Sequence, residues 1–159
     1  MNYIIREMKE SEYPLLKDFT YEAIFIPEGM APVPKSILNT PEIQVYFSDF
    51  GTDAHDRALV AEANNKVIGA VWVRIMNDYG HVDDETPSFA ISLYKEYRGL
   101  GIGTEMMKQM LIVLKNCGYE KASLSVQKAN YAVKMYHRVG FEIIDENEEE
   151  FIMVNYLQQ

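Results

Sequence analysis

The residues most obviously suited to chemistry are Arg98-Gly99-Leu100-Gly101-Ile102-Gly103-Thr104. Glycines at alternate positions let a backbone approach a ligand closely and turn successive N–H groups towards an anion. A helical pattern starts immediately behind them, and its N-terminus adds the positive end of a helix dipole. This is the chemistry of a phosphate or pyrophosphate cradle; the alternative is a glycine-rich turn that holds nothing. A Walker loop is excluded, because Gly103 is followed by Thr104-Glu105 rather than by Lys and Ser or Thr. A dinucleotide fingerprint counted from Gly99 needs glycine at Thr104, and no repeated strand–helix–strand pattern surrounds the turn.

The elements that must position this turn follow from hydrophobic period. Residues 88–93 (SFAISL) read as a strand entering it. Residues 102–116 read as a helix leaving it, with Met107, Met110, Leu111 and Leu114 on one face and Gly118 placed to end it. Upstream, residues 2–8 alternate as a strand. Ser11 is expected as an N-cap, and Leu15, Leu16, Phe19, Ala23 and Ile24 follow at helical spacing. Pro27 to Pro34 breaks that helix, and a second helical stretch over 35–48 is expected to be interrupted before Pro41. Residues 58–63 and 66–76 form a hairpin about Asn64-Asn65. Residues 77–87 (NDYGHVDDETP) are a polar connection. Downstream come a strand at 121–127, a short helix at 130–138 ended by Gly140, and a hairpin of 141–144 with 151–157. Its acidic tip, residues 145–150, is expected to be solvated. The order β-α-α-β-β-β-α-β-α-β-β describes a mixed α+β protein.

The chain has 159 residues, consistent with a single domain over 1–159. With 48% hydrophobic and 25% charged residues, disorder and fibrous arrays are excluded as classes. Fifteen basic against 24 acidic residues give a net charge of −9, which repels phosphate backbones, so no nucleic-acid partner is expected. No apolar run approaches a membrane span, and no membrane partner is expected. The N-terminal residues lack the basic start and apolar core of a signal peptide, and the single Cys117 excludes an intrachain disulfide. The cytoplasm is therefore the expected location.

The run from Ile91 to Gly103 resembles the acetyl-CoA motif of the GNAT superfamily of N-acetyltransferases: Arg or Gln, two residues, Gly, one residue, then Gly or Ala. Arg98, Gly101 and Gly103 fill it. A second block follows in the same order as in that family: Leu124-Ser125-Val126, Asn130, Tyr136 and Gly140-Phe141. The close resemblance covers residues 88–144. Lys95 stands where many members have Pro. The resemblance implies a twisted, mostly antiparallel mixed sheet flanked by helices, with a splay between the fourth and fifth strands. It implies acetyl transfer from acetyl-CoA to an amine in a ternary complex, the alternative being a non-catalytic CoA-binding regulatory or assembly module. It also leaves room for a homodimer.

By the same resemblance, backbone N–H groups from Arg98 to Thr104 hold the CoA pyrophosphate. The Leu93 N–H faces the thioester carbonyl, and Asn130 binds the pantetheine arm, although Asn130 could also be an N-cap. Tyr136 is the implied general acid for the departing thiolate, set against the plainer reading of a helix aromatic packing on the sheet. An acceptor amine must lose its proton before it attacks. Glu85 is the candidate base, with Asp83, Asp84 and His81 as alternates and a solvated loop as the competing reading. His81, Asp83 and Glu85 alternate as metal ligands would, but the spacing is weak and no metal is expected. Tyr21, Phe25, Met30 and Tyr79, beside acidic Glu22 and Glu28, are candidate walls for a cationic small-molecule or peptide amine. Tyr21 and Phe25, four apart, could equally pack in the core.

Overall fold

A computed structural model of the chain, describing residues 1–158, shows one seven-stranded sheet with helices on both faces. Gln159, the last residue of the expected domain, lies outside the described residues. The strands are β1 Ile4–Glu7, β2 Arg57–Ala63, β3 Lys66–Arg74, β4 Ser88–Leu93, β5 Lys121–Gln127, β6 Glu142–Glu146 and β7 Glu150–Tyr156. The helices are α1 Leu15–Ala23, α2 Pro41–Gln44, α3 Ile102–Asn116 and α4 Ala132–Arg138. The sheet order is β1-β2-β3-β4-β5-β7-β6. All its pairings are antiparallel except β4 with β5. Among the described residues no helix is long and apolar enough to cross a membrane.

The central strand is legible in its composition. From Ile68 to Arg74, β3 is buried on both faces, which suits the near-continuous apolar run IGAVWV. Arg74 ends it inside the protein because each of its guanidinium nitrogens has a partner. It pairs with Asp56 at 3.1 Å and donates to the carbonyl oxygens of Val45 and Ser48. The β2–β3 hairpin turns on Asn64 and Asn65, whose φ angles of 52° and 62° are the left-handed values Asn tolerates.

Alternation along the strands divides the core in two. On one face Val71, Phe89, Leu124 and Met153 pack beneath α3, whose Met106, Met107, Met110 and Leu114 are fully buried. Each such side chain is worth about 1.5–3 kcal/mol of burial, so the helix and its N-terminus are held firmly against the sheet. On the other face Val60, Ala70 and Trp72 pack against Leu16 and Phe19 of α1.

Ser11 does not cap α1. It lies in a short 3-10 turn, Glu10–Glu12, because the Glu12 carboxylate takes the Lys9 N–H at 2.8 Å and the Arg6 guanidinium; α1 begins after Pro14. The 35–48 stretch is broken as expected, into a 3-10 turn Lys35–Asn39 and α2.

Candidate active site

The sheet opens between β4 and β5. They pair only at Ser88 and Ser123, and beyond that point the parallel strands diverge. The register explains what the gap exposes. Tyr94 N–H donates to Ile68 O, and Ala70 and Trp72 pair with Ser92 and Ala90, so the even residues of β4 spend their hydrogen bonds on β3. The N–H groups of Ile91 and Leu93 therefore face the gap. A cavity of about 300 Å³ occupies it, reaching from α1 and α2 on one face of the sheet to α4 on the other.

At the wide end of the gap lies the glycine turn. Gly99 and Gly101 have φ of 76° and 84°, values that favour glycine, and a Cβ at either would meet open space. Among the described residues, no acceptor takes the N–H groups of Gly99, Leu100, Gly101, Ile102, Gly103 or Thr104; the first helical bond runs from Glu105 N–H to Gly101 O. Six consecutive donors at the start of a 15-residue helix suit a pyrophosphate well. Arg98 plays a different part. Its Nε donates to Leu93 O at 2.9 Å and its Nη2 to Glu22 O at 3.0 Å, so the side chain ties the turn to β4 and α1.

Along the gap, the cavity wall includes Ile91 but not Leu93, whose side chain packs beside Gly69 and Gly103. Asn130 lines the cavity; it is not the N-cap of α4, which is Tyr131, but its Oδ1 takes the Ala132 N–H at 2.9 Å across the turn that leads into the helix. Tyr136 projects from α4 into the same cavity. It is buried, its ring meets Phe141 edge-on at 6.1 Å, and among the described residues its hydroxyl has no hydrogen-bond partner. Burial pushes this phenol up to about 12, so it stays protonated at neutral pH.

The opposite wall holds groups that the sequence did not single out. Tyr46, just after α2, is fixed by Trp72 Nε1 donating to its carbonyl at 2.8 Å and by its own hydroxyl donating to Asp78 Oδ2 at 3.2 Å. Asp78 also accepts Ser88 Oγ at 3.1 Å, while its buried Oδ1 has no partner among the described residues. Burial raises the Asp78 carboxyl above its usual range. Glu150 does not sit on a solvated hairpin tip. It opens β7 opposite Gln127, lines the cavity, and accepts Gln127 Nε2 at 2.9 Å. Only the chain crossover that inserts β7 between β5 and β6 brings it there, which no local pattern reveals.

The remaining candidates divide between the cavity and other parts of the surface. Phe25 lines the cavity. Tyr21 donates its hydroxyl to Val33 O and braces the 27–34 loop, with Lys35 over its ring. Met30 and Tyr79 are exposed and outside the cavity wall. Glu85 lines a separate surface hollow with Arg57, Asp83, Tyr119 and Lys121, so the structure does not bring it together with Tyr136. His81 pairs with Asp84 at 3.3 Å and Asp83 with Lys121 at 3.2 Å. Among the described residues no three His, Cys, Asp or Glu side chains gather as a metal site requires.

A sheet split between parallel strands, with a glycine turn and helix N-terminus at its open end, defines a fold class built to admit an extended pyrophosphate-bearing molecule. The acetyltransferase (GNAT) family model matches residues 20–141, and the chain belongs to that family. "Probable N-acetyltransferase san" of Drosophila melanogaster is 33% identical over 120 residues, 70% of this chain and 63% of that protein. The [ribosomal protein bS18]-alanine N-acetyltransferase of Haemophilus influenzae is 29% identical over 83 residues, 52% of each chain. The chain thus spans about half to two thirds of the length of these curated relatives. The PaiA N-acetyltransferase of Thermoplasma acidophilum, solved in complex with coenzyme A, shares the fold at TM-score 0.65 and 20% identity, covering 98% of this chain and 99% of that one.

Proposed function

We propose that the protein transfers an acetyl group from acetyl-CoA to a primary amine of a cationic small molecule or a peptide, by direct attack within a ternary complex. The observation that carries this reading is the opened slot between β4 and β5, with the unpaired donors of the glycine turn at one end and the unpartnered Tyr136 hydroxyl on its wall. Acetyl-CoA, when bound, supplies the acyl group as a thioester.

The residues divide the work. The N–H groups of Gly99 to Thr104 hold the pyrophosphate, with Arg98 keeping the turn in place. Leu93 N–H and the free Nδ2 donor of Asn130 take the pantetheine arm. Ile91 N–H, inside the cavity, faces the thioester oxygen and stabilises the negative charge that develops there. Tyr136 protonates the departing sulfur: the buried phenol keeps its proton at neutral pH and gives it to the sulfur as negative charge develops there on C–S cleavage. The name of the Haemophilus relative, an alanine N-acetyltransferase, supports placing a peptide α-amine first among acceptors.

The test is thiol release from acetyl-CoA against peptides with free N-termini, lysine derivatives, polyamines, aminoglycosides and amino acids, wild type beside Tyr136→Phe. Turnover with one class, lost in the variant, supports the proposal. Acetyl-CoA binding without release from any amine supports a CoA-binding regulatory module instead.

A further inference from the structure

We infer that Glu150 is the carboxylate on which the acceptor's ammonium docks and to which it gives up its proton. The inference rests on the acetyl-transfer reading above and deepens it. Side chains alternate along a strand, and the register sorts the cavity groups by face. Leu124 and Val126 of β5 pair with Met153 and Phe151 of β7 and share the α3 side with Phe89 and Phe141. Ser125 and Gln127 therefore face the α1–α2 side, and with them Ile152 and Glu150. Tyr136 comes from α4 on the α3 side. The slot is thus entered from two faces, with the sulfur's proton donor on one and a carboxylate on the other.

The surroundings of Glu150 suit a base. Glu150 lines the cavity; Gln127 occupies its Oε1, and among the described residues no donor takes its Oε2. The charged and titratable groups around it are Glu149 beside it, Tyr46 in the cavity wall with Asp78 bound to its hydroxyl, and Tyr79 on the 77–87 loop. Lys128, next to Gln127 in the chain, is turned to Glu146 at 2.9 Å and lies over the Phe151 ring. Desolvation and the neighbouring carboxylates Glu149 and Asp78 raise the Glu150 carboxyl. Phe25, Ile24 and Ile43 line the approach, so the ammonium enters flanked by apolar stem.

The protons balance. Converting an ammonium to an amide nitrogen releases two. Glu150 takes the first, before the N–C bond forms, and passes it to solvent. As the C–S bond breaks, sulfur takes the Tyr136 proton, and the second proton from nitrogen restores the phenol. One proton is released overall.

The experiment pairs turnover with a readout that needs none. Thiol release is followed from pH 6 to 10 with an alanyl-started tetrapeptide and with spermidine, for wild type, Glu150→Gln, Glu150→Asp and the exposed-tip control Glu148→Gln. The expected result is an acid limb in wild-type kcat/KM, and a loss of about 100-fold at pH 7 in Glu150→Gln that narrows towards pH 10 as amines deprotonate unaided. Glu150→Asp recovers part of the rate, and Glu148→Gln matches wild type. In parallel, the Glu150 carboxyl is titrated by carbon-13 NMR, assigned by its absence from Glu150→Gln. It titrates above ordinary glutamates and moves down when either ammonium probe is added. Turnover with an unchanged pH profile in Glu150→Gln overturns the inference and leaves the transferase standing. A carboxyl that neither probe moves also overturns it. A carboxyl that moves, with no thiol release from either probe, overturns the transferase reading and the proton-accepting role while keeping the ammonium site.

Discussion

Glu85 and Glu150 each stand at or near the start of a strand, in the two most acidic stretches of the chain, yet they meet different solvents. Glu85 is exposed in the 77–87 loop, beside a hollow that also holds Arg57 and Lys121. Its neighbour Asp83 is held below the usual carboxylate range by hydrogen bonds from Thr86 and the Glu85 N–H and by Lys121. Glu150 is half-buried, faces other acids, and has lost water without gaining a cation. A carboxylate placed like Asp83, hydrogen-bonded and beside a lysine, is well satisfied and a poor base. For Glu150 the charged form is the costly one, and a proton or an ammonium relieves it. Basicity follows from what surrounds an acid rather than from how many acids adjoin it in the chain.

The sharpest break in this comparison lies across the slot. Tyr136→Phe removes the proton donor and is expected to lower turnover by about 100- to 1,000-fold with acetyl-CoA affinity unchanged, checked by steady-state thiol release and calorimetry. The same change deletes a hydroxyl that has no protein partner, so its thermal midpoint should stay close to wild type. A collapse in midpoint would instead make Tyr136 a packing residue.

Glu85→Gln tests the other half. It should leave kcat/KM within about 2-fold across the pH range in which Glu150→Gln loses about 100-fold. A Glu85→Gln loss as large as that of Glu150→Gln would reverse the assignment.

Asp78→Asn is subtler. Removing a neighbouring negative charge lowers the Glu150 carboxyl, so the acid limb of the rate profile should move to lower pH, by a few tenths of a unit to one unit by order of magnitude. Movement to higher pH would show that Asp78 does not act on Glu150 as a like charge.

Glu12 supplies the opposite extreme and the smallest effect. Arg6 holds its carboxyl at about 2, below the ordinary 4.5, through a 2.8 Å ion pair at the edge of the sheet. A depressed carboxyl contributes stability that is complete above its unfolded value and fades as pH falls from about 4.5 towards 2. Glu12→Gln should therefore cost on the order of 1 kcal/mol at pH 7, or about 2–4 °C in midpoint, with the difference from wild type vanishing near pH 2. Equal midpoints at pH 7 would show that the pair is as weak as an exposed one.

Much of this was legible locally. The 15 residues of α3, the strand into the glycine turn, the Asn64-Asn65 hairpin and β5 all follow from period and turn chemistry within a few residues. The donors of the glycine turn were legible for the same reason, since glycine spacing and a helix start are neighbours in the chain. Leu93 was the one β4 residue singled out for its N–H, yet the register turns the N–H groups of both Ile91 and Leu93 to the gap, and of the two only Ile91 lines the cavity, which no local pattern reveals. The Arg98 N–H was expected to face the pyrophosphate, yet it turns back onto Lys95 O at 3.2 Å, and a carbonyl of α1, 76 positions away, claims one of its guanidinium donors. Tyr46, Asp78 and Glu150 carried no local signal at all, because a lone Tyr, a loop Asp and a Glu in an acidic run are ordinary surface residues until the fold encloses them.

By itself, then, the sequence determined the order of elements, the family and the glycine turn with its helix start, because each depends on residues a few positions apart. The tertiary structure alone decided which face of the slot holds an acid and which a phenol. That choice depends on sheet order, on β7 lying between β5 and β6, and on the dielectric created when distant segments exclude water from the same cavity.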